Sequence, residues 1–301
     1  MADTTTAAGE HRRGFGRRTS SFLNGHERTR FGLTIGAPLL WIGVIYLGAL
    51  VLLFLNAFWR VDTLTGRIIQ DWGLQNFDTL WSSSVYRTIT FRTVRIAALV
   101  TVADVILSFP LAYYAARIAT PRVKALLLVM VVLPLWASYL VKAFAWQTIT
   151  APNGLLESLL GLVGIHVNIG ASEVAIWLTF TYLWLPFVLL PIFASLERIP
   201  SSFVEASGDL GAKGWKTFRH VVWPMAFPGV VAGSIFAFSL TLGDYIAPSI
   251  VGSTKFIGNV IYDNVGIANN LPLAAAFALV PVAVMAIYLA LARRLGAFEA
   301  L

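Results

Sequence analysis

Glu205-Ala206-Ser207-Gly208-Asp209-Leu210-Gly211-Ala212-Lys213-Gly214-Trp215-Lys216-Thr217-Phe218-Arg219-His220-Val221-Val222-Trp223-Pro224 is a polar island between two long apolar runs. Its pattern is that of helix and turn. Pro200, just upstream, stands where a helix start tolerates proline. Ser202-Phe-Val-Glu205 has the spacing of a capping box, in which the Ser202 hydroxyl accepts from the Glu205 N–H and the Glu205 carboxylate reaches back to the Ser202 N–H. The spacing predicts a short helix over about 202–210, a turn at Gly211, and a second helix from about 213 into the next apolar run. Read from these residues alone, the segment is either such a helix pair or an interfacial loop that reconnects two spans.

The rest of the chain sets the solvent. Of its 301 residues 57% are hydrophobic and only 12% charged, and the mean hydropathy is +0.75. That composition belongs to membrane proteins and excludes a soluble domain. Cysteine is absent, which excludes disulfides, thiolate metal sites and a cysteine nucleophile. The four histidines, His11, His26, His166 and His220, show no metal-ligand spacing. No G-x-x-x-x-G-K-[ST] phosphate loop occurs, so ATP hydrolysis by that route needs another polypeptide. No convergent cluster of His, Cys or carboxylates points to a membrane enzyme.

Six apolar runs are each near or above the ~20 residues that a bilayer helix needs. They cover about 31–58, 90–116, 124–146, 172–196, 225–248 and 272–292. The first is too long for a signal-peptide core and lacks a small-residue cleavage site after it. Residues 1–31 form a basic tail, 32–87 a first span with its loop, 88–292 a core, and 293–301 a short C-terminal segment. After Ala151-Pro-Asn-Gly154, a turn signal, residues 155–165 read as a short interfacial helix.

Orientation follows from where Lys and Arg fall. Arg12, Arg13, Arg17, Arg18, Arg28, Arg30, Arg117, Arg122, Lys124, Arg198, Lys213, Lys216, Arg219, Arg293 and Arg294 share one side, which is 15 of the 22 basic residues. The expectation is six spans with both termini inside, which puts 197–224 in the cytoplasm. The net charge of +7 is therefore topological and does not imply nucleic-acid binding.

The opening stretch resembles the EAA loop of binding-protein-dependent ABC importer permeases: Glu-Ala-Ala, three residues, Gly, nine residues, Ile-x-Leu-Pro. Here Glu205-Ala206-Ser207, Gly211 and Val221-x-Trp223-Pro224 keep every spacing, with Ser207, Val221 and Trp223 as departures. The resemblance extends over about 88–292. Pro134-Leu-Trp136-Ala-Ser-Tyr139-Leu-Val-Lys142-Ala-Phe-Ala-Trp146 with Asn153-Gly154-Leu155, and Gly243-Asp244-Tyr245-Ile-Ala-Pro248 with Ile257-Gly-Asn-Val-Ile261, look like the spermidine/putrescine-type permeases. Permeases for iron(III), sulfate, phosphonate and opines share parts of these patterns.

The resemblance implies an all-α membrane protein with the six-helix type I importer fold, in a bacterial inner membrane. It implies a coupling helix at Glu205, Ala206, Ser207, Gly211 and Pro224 that docks on an ATPase. It also implies a second, homologous permease subunit, two ATP-binding subunits that carry ATP and Mg, an extracytoplasmic substrate-binding protein, and no cofactor in this chain. The solute expected is a polyamine or a similar small organic cation. A stand-alone secondary transporter or channel would use the same polar stripes without an ATPase.

Ionisable groups at membrane depth are functional candidates. Asp104, Lys142 and Asp244 each anchor a stripe at helical spacing: Ala97, Thr101, Asp104, Ser108, Ala112; Pro134, Ser138, Lys142, Trp146; and Ser234, Ala237, Thr241, Asp244, Pro248. Such stripes mark either helix contacts or a wet cavity. Asp104 is read as a pathway group, an internal ion pair or a packing hydrogen bond. Lys142 either snorkels to headgroups or lines a pathway, where a fixed cation counts against a purely acidic one. Trp136, Tyr139, Trp146 and Tyr245 are belt or core aromatics, or with Asp244 the aromatic-plus-carboxylate pocket that an organic cation requires.

Overall fold

The computed structural model describes residues 35–294 except 37, 63, 166 and 167. The basic tail, His166 and the last seven residues lie outside the described residues. The chain forms two compact units, divided after Asn56, so residues 57–87 belong with the core unit.

In the first unit, helix α1 (Pro38–Asn56) has 19 residues and none of its apolar window is buried. A helix that is apolar all round and exposed all round is matched to lipid.

The second unit begins with a hairpin, β1 (Arg60–Val61) antiparallel to β2 (Ile68–Ile69). The Asp62 carboxyl is held below the usual carboxylate range, chiefly by the Leu64 N–H and next by the Thr65 hydroxyl. Helix α2 (Gln75–Ser82) follows, then α3 (Ser84–Arg117), 34 residues long. At ~1.5 Å per residue α3 exceeds the ~30 Å hydrocarbon core by about 20 Å, so the second span is longer than its apolar run predicts.

The third apolar run is not one straight helix. Helix α4 (Pro121–Val132) tightens into a 3-10 turn at Leu133–Trp136. After extended Ala137 and Ser138 the chain turns by 99° into α5 (Tyr139–Thr150) and α6 (Leu155–Leu162). Pro134 cannot donate to the helix ladder, which favours the break there. The expected stripe Pro134, Ser138, Lys142, Trp146 therefore does not lie along one helix face. The short helix expected at about 155–165 is α6.

Helix α7 (Glu173–Glu197) is the centre of the bundle and packs against α3 and α9. Ile176, Phe180, Leu183, Leu189, Ile192 and Leu196 are buried around most of its circumference. Its start is capped by the Ser172 hydroxyl, which accepts from the Ala175 N–H at 3.2 Å.

Helix α8 (Ser201–Asp209) is followed by α9 (Gly214–Gly243), 30 residues long. Gly229 and Gly233 face α7. A Cβ at Gly229 would lie 2.5 Å from the Pro191 carbonyl, and one at Gly233 2.8 Å from that of Val188. This is the small-xxx-small contact that lets membrane helices approach closely. The fifth helix ends at Gly243, short of the expected 248. Asp244 and Tyr245 lead into α10 (Ile246–Val251), then α11 (Ile257–Gly266) and α12 (Leu271–Arg294). Among the described residues, five helices are long and apolar enough to span a membrane, six if the bent pair counts as one.

Candidate functional site: an exposed helix pair and a node of broken helices

The polar island folds as the spacing predicts, with one correction. Pro200 takes the N-cap position of α8 and no side chain caps the helix. Ser202 thus falls inside the first turn, where its hydroxyl cannot accept from Glu205, and the capping box is not formed. The far end closes as a Schellman motif: Gly211 N–H donates to Gly208 O at 2.8 Å and Ala212 N–H to Ser207 O at 3.0 Å. Gly211 adopts φ +76°, the left-handed value that favours glycine.

Ser207 does more than replace a small residue. Its hydroxyl lies 3.0 Å from that of Thr217, tying α8 to the start of α9. Thr217 is buried. The stretch Phe218–Val222 then forms a π-helical turn. Pro224, at the next helical turn, has no N–H for the ladder, and the wider turn absorbs that loss. Phe218 packs edge-on to Phe109 at 5.7 Å and contacts Tyr113 at 6.4 Å, both on α3. Trp223 lies 5.4 Å from Phe109, and Arg117 of α3 donates to Ile199 O at 2.7 Å. The loop is thus anchored to the second span as well as to the fourth and fifth, a link the sequence reading missed. Its only sequence signal is a cluster of aromatics remote in the chain.

The outer surface of the loop is apolar where a free loop would be polar. Phe203, in the first turn of α8, and Leu210, its C-cap residue, are 52% and 89% exposed. Trp215 is exposed as well, and Glu205 and Ala206 lie open to solvent.

A second constellation lies where two helices break. Tyr139, the first residue of α5, donates its hydroxyl to Asp244 Oδ2. Asp244 Oδ1 accepts from Ile246 N–H at 2.8 Å and Ala247 N–H at 3.0 Å, so this carboxylate also starts α10. The Tyr139 ring stacks on Trp184 at 6.1 Å, and Tyr245 on Tyr262 at 4.7 Å. Asn259 of α11 donates to Tyr245 O at 2.9 Å and to Ser249 Oγ at 2.7 Å. Gly258 permits this closeness, since a Cβ there would meet the Gly243 and Asp244 carbonyls at 2.7 Å. Trp184, Asn259 and Tyr262 were not singled out from the sequence.

The other expected pathway residues stand apart from this node. Trp146 packs on Tyr182 at 5.5 Å. Trp136 is 89% exposed. Lys142 is half-buried, and its amine has no hydrogen-bond or ion-pair partner among the described residues. Asp104 is fully buried with Ala97, Thr101, Ser108 and Ala112, so its stripe is a helix-packing seam. Neither Asp104 oxygen has a hydrogen-bond partner among the described residues. Ser234, Ala237 and Thr241 are likewise buried.

In the second unit, long apolar helices frame an exposed helix pair between the fourth and fifth apolar runs, the arrangement of a membrane permease. Residues 108–297 match the family model of the binding-protein-dependent transport system inner membrane component. The chain belongs to that family. It is 43% identical to the inner membrane ABC transporter permease protein YdcU of Escherichia coli (strain K12), over 96% of this chain and 97% of that one. It is 27% identical to the spermidine/putrescine transport system permease protein PotB of Haemophilus influenzae, over 67% of this chain and 72% of that one. A bacterial alginate ABC transporter in complex with an alginate-bound periplasmic protein shares the fold, with a TM-score of 0.69 at 16% identity over 91% of this chain and 97% of that chain. The protein is a multi-pass inner-membrane subunit of an ABC importer, without an ATPase site of its own; partner chains hydrolyse ATP.

Proposed function

We propose that this permease subunit imports a polyamine or a similar small organic cation by alternating access. Its partners are a second, homologous permease, two ATP-binding subunits carrying ATP and Mg, and an extracytoplasmic binding protein. Both termini and the 197–224 segment face the cytoplasm. Exposed Phe203, Glu205 and Leu210 dock in a groove of the ATPase, and the Ser207–Thr217 bond makes α8 and the start of α9 move as one piece. Motion then reaches α3 through Phe109 and Tyr113, and α9 directly.

The observation that carries the substrate reading is Asp244, a carboxylate among aromatic rings at the meeting of two broken helices. Its three hydrogen bonds leave Oδ2 one acceptor position. A carboxylate beside stacked aromatic faces suits an alkylammonium group. The 27% identity to a spermidine/putrescine permease supports the same class.

Uptake of radiolabelled putrescine and spermidine by cells carrying the complete transporter tests this. Asp244→Asn should raise KM at least tenfold while leaving the protein in the membrane. Unchanged uptake kinetics would remove Asp244 from the pathway. Uptake of an anionic opine, phosphonate or sulfate, or of iron(III), with no polyamine uptake would move the substrate class while leaving the importer intact.

A further inference from the structure

Arg87, Arg92 and Arg95 of α3 line a depression of about 430 Å³ that extends to the start of α7. The hydroxyls of Ser84 and Thr88 and the ring of Phe91 line it too. Its one carboxylate, Glu173, bonds Arg92 at 2.8 Å and also pairs with Arg95. Those bonds fix two guanidinium forks. Arg87 is exposed and has no ion-pair partner among the described residues. Three cations against one anion leave the depression with a charge of about +2.

Its depth is set by helix arithmetic. Arg95 and Arg117 are 22 positions apart on α3, about 33 Å at ~1.5 Å per residue, close to the ~30 Å of a hydrocarbon core. The opposite end of the α3–α7 pair is fixed by Arg117 on Ile199 O and by the Lys124–Glu197 ion pair. The two polar ends thus lie one bilayer apart, which puts the arginine depression at the headgroup level of one face. Below it, Leu99, Val102 and Ile106 follow Arg95 at i+4, i+7 and i+11, and all three are exposed.

We propose that this depression binds the phosphate of an anionic glycerophospholipid, with the acyl chains lying along Leu99, Val102 and Ile106. Guanidinium forks match phosphate oxygens two at a time. Serine and threonine hydroxyls add neutral donors, and exposed Phe91, one turn before Arg95, flanks the phosphate on the side away from the acyl chains. An acidic protein surface would meet the arginines but would leave the apolar stripe below them uncovered. The bound lipid holds the starts of α3 and α7 together, beyond what Glu173 does alone.

The test uses the full-length protein in its native assembly, in phosphatidylcholine nanodiscs titrated with phosphatidylglycerol. Native mass spectrometry counts the lipid retained. Arg87→Gln, which breaks no ion pair, should weaken phosphatidylglycerol binding about tenfold, and Arg87→Gln with Arg95→Gln should weaken it further. Arg67→Gln, in the hairpin loop, should change nothing. Equal retention of the two lipids by the wild type, or undiminished phosphatidylglycerol binding by Arg87→Gln, would overturn the proposal. Displacement of the lipid by millimolar inorganic phosphate would overturn it in favour of a free-anion site. Cross-linking from a benzophenone at position 102 to protein rather than to lipid would overturn it in favour of a docking surface.

Discussion

The Ser207 hydroxyl lies 3.0 Å from the Thr217 hydroxyl, across the turn at Gly211. This contact joins the solvent-exposed helix α8 to Thr217, the buried residue in the first turn of α9. Ser207→Ala and Thr217→Val should each cost about 1 kcal/mol of local stability. The double variant should cost no more than the larger single, since both remove the same bond. Amide hydrogen exchange over 201–217 measures this. Strictly additive costs would mean that the two hydroxyls do not act together.

Gly211 meets nothing within 4 Å at a Cβ position, so space does not demand glycine there. Its φ of +76° does. Gly211→Ala should cost ~1–2 kcal/mol through the left-handed backbone alone, and a β-branched residue more. Gly211→Val should cut uptake at least tenfold with normal membrane insertion, by misaiming α8. Full uptake by that variant would separate the turn from transport.

Gly233 is the opposite case: its backbone is ordinary and its space is filled. A methyl there would sit 2.8 Å from the Val188 carbonyl, against backbone that cannot swing aside. Gly233→Ala should destabilise the purified protein by about 1–3 kcal/mol, seen as a lower thermal-unfolding midpoint in detergent. An unchanged midpoint would show that α7 and α9 do not pack this closely.

Asp104 is fully buried and neither of its oxygens has a hydrogen-bond partner among the described residues. A polar group buried in that way costs ~1–3 kcal/mol. Asp104→Leu, close in size and without the polar atoms, should therefore raise the unfolding midpoint. A lower midpoint would mean that the carboxyl has a partner. Abolished uptake together with a raised midpoint would assign the residue to the transport cycle, where its cost has a use.

Hydropathy made the number of spans legible, because burial in lipid depends on composition over ~20 residues. It could not show the 99° turn after Trp136, since the residues before and after the turn are equally apolar. The stripes of small and polar residues were visible, but their surroundings were not. Asp104 and Thr241 read alike with either a pore or a packing seam, and only the positions of α7 and α9 separate the two. The turn at Gly211 was legible because one residue's φ decides it. The Ser202–Glu205 capping box failed because Pro200 claimed the N-cap position first. Ser207 looked like a conservative stand-in for alanine, since its partner Thr217 lies across a turn whose geometry no spacing rule supplies. Asp244 was found from its charge, but its role in starting α10 depends on the helix ending at Gly243.

The absence of cysteine makes the central claim directly measurable, because Leu210→Cys introduces the sole thiol. Leu210 is 89% exposed at the tip of α8. In intact spheroplasts a membrane-impermeant maleimide should leave position 210 unlabelled; after permeabilisation it should label, and co-expressed ATPase subunits should protect it. Labelling of intact spheroplasts, or equal labelling with and without the ATPase, would contradict a cytoplasmic coupling helix.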